Sequence, residues 1–501
     1  MNFLKINQRT PLLALFLLVT PAFAQQTAAP DETIGIDAQA ASHPFPHVWE
    51  QMFGSGRAVL SLREDYRADM RTVKQITQFR YVRFHAILDD DIGVYDEDAA
   101  GKPIYNFSYV DQIYDGLLAI GVRPFVELSF MPRKLAANLT PHPFWYKPFP
   151  SPPNSPEKWS ALIEAFTRHL VERYGKEEVE QWYFEVWNEP NIDFWNGDPK
   201  QPTYFALYDI TAPAVKKVDS KLRVGGPATA QAAWADAFIA HCTQNHVPFD
   251  FVSAHIYGNE DPVDVFAKPL PILRRDMVAR AAKKVYDQVK ASAAPDTPII
   301  WSEYNATFKN ETQVTDSAFM GPWLANNIRE CDGLSSLMSY WTFSDVFEEQ
   351  GVVKTPYYGG YGIIAERSIP KAAFRAFELL HRLGDQRLEV TSEDALVTKT
   401  PNGAIALALW NYAEPDERAS PKTFHLSVKN TKAKHYSMQF VDPDHGSSYD
   451  AWTKMGSPAF PTQQQIGALI KASELPASEK HSLSDPIIIP RQRLVLVELV
   501  P

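Results

Sequence analysis

Cysteine is almost missing from this chain: 501 residues carry only Cys242 and Cys331, so disulfides do not organise the fold even in an oxidising compartment. The two fall in helical segments separated by two strand units, which reads as a pair of buried free thiols. A basic excess is also missing. The formal net charge is −11, and with no basic run to neutralise phosphates, nucleic acid is set aside as a partner. Beyond the first 24 residues no segment approaches eighteen uninterrupted apolar residues, so no membrane span is expected. The thirteen histidines include no His-Glu-x-x-His run, and no metal site is read. Gly54-Ser55-Gly56 and Gly225-Gly226 are too short to cradle a dinucleotide and suit close backbone approach at strand ends, so no cofactor is expected.

The N-terminus is patterned differently. Lys5 and Arg9 precede an apolar stretch from Pro11 to Val19 and then Ala22-Phe23-Ala24, the charged, apolar and small-residue regions of a secretory leader. Residues 1–24 are read as that leader, with cleavage after Ala24 and an exported product, periplasmic or secreted. Oligomeric state is left open.

Beyond residue 47 the chain alternates between strand and helix patterns. Short β-rich runs at Tyr81 to Leu88, Arg123 to Phe130, Tyr183 to Trp187, Arg223 to Pro227, Phe249 to Tyr257, Pro298 to Glu303 and Leu334 to Phe343 are separated by segments with apolar residues at three- and four-residue spacing. A further strand between Val48 and Leu60 makes eight units, the number that closes a (β/α)8 barrel over residues 48–383. The Pro-rich insertion from Met131 to Pro156 follows the third strand and is expected to lie over the C-terminal face. From residue 384 the runs become short and alternating, predicting a β-sandwich over residues 384–501, with residues 25–47 packing on it.

Two of the barrel runs end in glutamate: Trp187-Asn188-Glu189-Pro190 and Trp301-Ser302-Glu303-Tyr304. A strand that gives way to Asn-Glu or Ser-Glu is entering the loop face where barrel enzymes act. Closing the barrel brings the ends of the fourth and seventh strands into one mouth. Two carboxyl groups about 5 Å apart there are what retaining glycosidases use, one as proton donor and one as nucleophile.

These motifs, with Arg83-Phe84-His85, Phe125 to Pro132 and Tyr340 to Glu349, resemble glycoside hydrolase family 39, whose best-known members are β-xylosidases and α-L-iduronidases. The likeness runs from about His47 to Arg375. It implies Glu189 as general acid/base and Glu303 as nucleophile. Asn188 is placed to hydrogen-bond the sugar 2-hydroxyl, His255 and Tyr257 to line the mouth near the nucleophile, and His85 to touch the sugar. Trp341 and Phe343 offer apolar faces to the ring, and Glu348 and Glu349 acceptors for its hydroxyls. Phe194 and Trp195 are candidates for stacking a leaving-group sugar, and Arg83 for an electrostatic partner behind His85. One departure is Ala86, where the family often has glycine.

The leader and the resemblance together imply an exported retaining glycosidase, expected to be an exo-acting β-xylosidase on xylo-oligosaccharides. Its rivals are a retaining glycosidase on another glycan (exopolysaccharide, iduronoside or arabinoside) and a catalytically inactive carbohydrate-binding barrel.

Overall fold

The computed structural model describes residues 31–500; the leader read at residues 1–24 lies outside them. Eight strands, Met52–Gly54 (β1), Tyr81–Phe84 (β2), Arg123–Glu127 (β3), Tyr183–Glu185 (β4), Arg223–Thr229 (β5), Phe251–Tyr257 (β6), Ile299–Asn305 (β7) and Leu337–Tyr340 (β8), close into a barrel in chain order. Every neighbouring pair is parallel. The outer helices are Glu64–Ile76 (α1), Ser108–Ile120 (α2), Pro156–Tyr174 (α3), Lys200–Val218 (α4), Ala235–Asn245 (α5), Arg274–Lys290 (α6), Met320–Glu330 (α7) and Ala372–Leu380 (α8). The strands read as nearly continuous apolar runs because helices cover them outside and side chains fill them inside; every residue of β6 and of β7 is buried.

The inward-facing residues are layered by the two-residue pleat. Met52, Phe125, Phe251, Ile300 and Leu337 meet at the N-terminal end, with Tyr81 and Tyr183 packed against them. Two residues further along β2, β3 and β4 come Arg83, Glu127 and Glu185, all fully buried. The apolar plug supports a charged layer, and that layer supports the mouth.

Strict alternation would turn Glu303 away, since Ile300 already faces inward. A register shift solves this: Trp301 pairs with Ala254 but Glu303 with His255, so Ser302 is an extra residue in β7. Bulges re-aim side chains beside active sites in this way.

Seven strands form an antiparallel sheet in the order Ser42–Pro44, Gln386–Leu388, Ala395–Lys399, Ile405–Trp410, Leu494–Val500, His435–Val441 and Glu479–Ser482. A second sheet joins Lys422–Lys429 to Ile487–Ile489 and, in parallel, to Glu32–Asp37. Ile34 and Ile36 share a core with Val397, Leu407, Phe424 and Val497. Two helices, Ser448–Lys454 and Gln463–Ala472, interrupt this strand region. The second opens on a capping box between Thr462 and Gln465. Cys242 and Cys331 are both buried and free.

Candidate active site

Arg83 is the hub of the charged layer. Its Nε donates to Glu185 Oε2 at 2.6 Å, Nη1 to Glu303 Oε1 at 2.6 Å and Nη2 to Asn188 Oδ1 at 2.9 Å; Nη2 also lies 2.8 Å from Glu127 Oε2. Guanidinium only donates, so it fixes the Asn188 amide with Oδ1 inward. Asn188 Nδ2 is left buried without a partner, a donor facing the pocket it lines.

Glu303 sits at the end of β7 with both oxygens engaged. Tyr257 donates its hydroxyl to Oε2 at 2.6 Å while Arg83 holds Oε1. Burial raises the Glu303 pKa, whereas Arg83, His85 and the Tyr257 hydrogen bond pull it back down. Glu189 has no such cation against it. Burial and then the charge of Glu303 push it well above the usual carboxylate range. One oxygen of each carboxylate and the facing nitrogen of His255 all lie within 4.8 Å of one another. Of the two carboxyls, Glu303 is the first to ionise and Glu189 the one that keeps its proton.

Backbone geometry presents the acid. Trp187 and Glu189 have φ of 75° and 43°, in the left-handed region that costs an L-residue energy and is held only by its surroundings. The Glu189 amide is tied to Ala228 O at 2.8 Å, and Asn191 and Ala230 exchange two further bonds of 2.9 and 3.1 Å. His255 Nδ1 lies 2.9 Å from Glu189 Oε1 and 3.6 Å from Glu303 Oε1. Its pKa is driven well below the ordinary value by burial and by the nearby cations Arg83 and His85.

The mouth is a pocket of about 320 Å³ lined by His85, Asn188, Glu189, Tyr257, Glu303, Trp341 and Glu349 among others. The Trp341 ring lies where any side chain at residue 54 would be: a Cβ on Gly54 would fall 2.1 Å from its Cε3. His85 Nδ1 lies 2.7 Å from Glu127 Oε2, and the ring stands 3.7 Å from Glu349. Against the effect of burial, Glu127 holds the His85 pKa above its ordinary value. Glu349 is pushed up to about 8 by burial.

Not every residue expected at the mouth reaches it. Phe343 is fully buried, its ring edge-on to Tyr66 at 4.9 Å between β8 and α1. β8 ends at Tyr340, so no pleat keeps Phe343 on the face of Trp341, and its ring packs against Tyr66 instead. Glu348 pairs with Arg63 at 2.7 Å and Arg57 at 3.5 Å, so its acceptors are already spent on arginines outside the pocket. Trp195 is buried against Thr203, whereas Phe194 does line the pocket, stacked on His142 at 4.3 Å. The Pro-rich insertion contributes Phe144 to the wall.

Other groups of the site were not among the residues expected there. Glu127 and Glu185 were legible as the inward positions of recognised strands, two residues after Phe125 and Tyr183. Gln231, Glu260, Phe308 and Tyr361 line the pocket from loops, where no periodicity marks them.

A second cluster, His47, Glu50 and His381, has donor atoms close enough to share an ion. It lies at the start of β1, at the opposite end of the barrel from the mouth, and its atoms are hydrogen-bonded to one another.

A barrel whose mouth holds two adjacent carboxylates of unlike acidity defines a glycosidase class. The family described as "Glycosyl hydrolases family 39" matches residues 32–484. A β-xylosidase of Geobacillus stearothermophilus is 36% identical over 471 residues, covering 91% of this chain and 93% of that one. One from Caldicellulosiruptor saccharolyticus is 37% identical, covering 85% and 88%. The solved structure of a family 39 β-xylosidase from Caulobacter crescentus superposes with a TM-score of 0.81 at 33% identity, covering 94% of this chain and all of that one. The chain belongs to glycosyl hydrolases family 39 and is a carbohydrate-acting glycosidase.

Proposed function

We propose that the protein is an exported, retaining, exo-acting β-xylosidase that trims xylo-oligosaccharides. The observation that carries the mechanism is the Glu189–Glu303 pair: oxygens within 4.8 Å leave no room for the intervening water that an inverting enzyme needs. In the first step Glu303 attacks the anomeric carbon as Glu189 gives its proton to the departing oxygen. A glycosyl ester forms on Glu303 and the glycosidic bond breaks. That ester removes the neighbouring charge which, after burial, helped keep Glu189 protonated, so Glu189 becomes more acidic and, once ionised, is suited to accept a proton from water. Water then opens the ester and Glu303 leaves as carboxylate.

Asn188 Nδ2 is a free donor for the sugar 2-hydroxyl, a contact that strengthens as the oxocarbenium ion develops. Trp341 supplies an apolar face, and Glu349 and His85 supply polar partners. The choice of a neutral pentose is supported by the sugar named for the relatives and by the lining, which has no lysine or arginine to receive a uronate carboxylate. The wall from the Pro-rich insertion favours a pocket, hence exo action.

A panel of nitrophenyl xyloside, glucoside, galactoside, arabinoside and iduronide tests the sugar. Preference for the β-xyloside is expected; preference for another overturns the assignment, and no turnover on any glycoside or oligosaccharide favours an inactive binding barrel.

A further inference from the structure

A second cavity, of about 230 Å³, adjoins the catalytic pocket and shares Gln350 and Tyr361 with it. Its walls are partly aromatic, from Phe347, Tyr358 and Tyr361. Tyr358 has a buried hydroxyl with no hydrogen-bond partner, a group that a bound hydroxyl would satisfy. Gln350 spends its amide nitrogen on Asn310 at 2.7 Å and keeps its carbonyl oxygen as an acceptor. At the rim stands Trp145, 60% exposed, its amide tied to Glu349 O at 2.8 Å. Its ring lies against Gly351, where an added Cβ would approach Cε3 to 3.4 Å. An aromatic wall, an exposed tryptophan and unspent polar groups are what a sugar ring uses.

The charges are distributed unevenly between the two cavities. The catalytic pocket is lined by Glu189, Glu260, Glu303 and Glu349 without a lysine or arginine. The second cavity has Lys354, exposed and without an ion-pair partner among the described residues. Lys134, by contrast, is already paired with Asp96. In a chain of net charge −11, a lone cation beside an aromatic-walled cavity is the place where a substrate carboxylate meets attraction.

We infer that the second cavity is a subsite for a carboxylate-bearing sugar, carried on the same glycan whose neutral terminal residue enters the catalytic pocket. This rests on the reading of the catalytic pocket as a xyloside site. Lys354 faces the carboxylate, and Trp145 and Tyr358 face the ring.

Calorimetry tests it on protein carrying Glu303→Ala, so that the glycan is not consumed. The probes are xylotriose and xylotriose bearing one glucuronosyl branch next to the non-reducing end. The branched glycan is expected to bind about ten-fold tighter, the worth of one charged hydrogen bond. Adding Lys354→Met should bring the ratio to about one, and 0.5 M salt should shrink it. A ratio near one while Lys354 is present, a ratio untouched by Lys354→Met, or no binding of either glycan overturns the inference. Turnover of nitrophenyl β-xyloside by the unsubstituted protein reports separately on the xyloside reading.

Discussion

His255 Nδ1 stands 2.9 Å from Glu189 Oε1 while its Nε2 stands 3.1 Å from Ser302 Oγ. With the imidazole neutral, the Ser302 hydroxyl donating to Nε2 leaves the proton on Nδ1, where it serves Oε1 of the acid. Oε2 is then the oxygen that carries and delivers the catalytic proton. A cationic histidine here would acidify Glu189 and spoil it as a donor, which gives a chemical use to the burial that keeps His255 neutral. His255→Ala is expected to lower kcat about ten- to a hundred-fold because it removes the group that contacts the acid, and Ser302→Ala less than about ten-fold because Ser302 acts only through His255. Steady-state kinetics of both variants with unchanged melting curves would check this; equal effects would count against the ordering.

Replacing the acid itself separates the two half-reactions. A nitrophenolate leaves with little protonation whereas a sugar alcohol needs the proton. Glu189→Ala should therefore lose about 10²–10⁴-fold on xylobiose and far less in the first step on an aryl xyloside. Without its general base the second step stalls, so a burst and a xylosyl adduct on Glu303 are expected by rapid-quench mass spectrometry. Equal losses on both substrates with no adduct would remove Glu189 from this role.

Glu349 links substrate binding to stability. Its folded pKa of about 8 lies above the unfolded value near 4.3, so the folded state holds a proton that the unfolded chain releases. Stability contributed by this group is therefore lost as pH rises from about 4.3 towards 8. Glu349→Gln should melt higher than its parent at pH 8, with the gap narrowing at pH 5, while KM rises. A gap that widens on acidification would contradict the sign.

Arg83 neutralises a layer that is otherwise all acid. Arg83→Met leaves Glu127, Glu185 and Glu303 buried with His85 as the one cation beside them among the described residues, and breaking such a set by removing one partner costs about 3–5 kcal/mol. Arg83→Lys keeps the charge but cannot offer the directed donors that meet Glu185, Glu303 and Asn188 at once. Thermal melting should rank the parent above Lys and Lys above Met, with the Lys variant also impaired in kcat because the Asn188 amide is no longer oriented.

Much of this architecture could be read from alternation. The strand runs placed Glu189 and Glu303 at one face of a barrel, and pleat parity, carried two residues on from Phe125 and Tyr183, would also have found Glu127 and Glu185. Helix α1 was not among the segments read from the sequence: buried Asp69 interrupts its apolar face, its Oδ2 accepting from Ser344 Oγ at 2.6 Å. Phe343 and Glu348 were misplaced for a different reason. Beyond β8 the chain leaves the ladder, and proximity in sequence to Trp341 and Glu349 no longer fixes direction. The Ser302 bulge is likewise silent in the sequence, since it depends on how β7 pairs with β6.

The carboxylate pairing is most directly tested by following the anomeric proton of the first-formed sugar by NMR during hydrolysis of a β-xyloside. Double displacement through Glu303 predicts that β-xylose appears first and then mutarotates. If α-xylose appears first, the water attacks directly, and Glu303 is not the nucleophile.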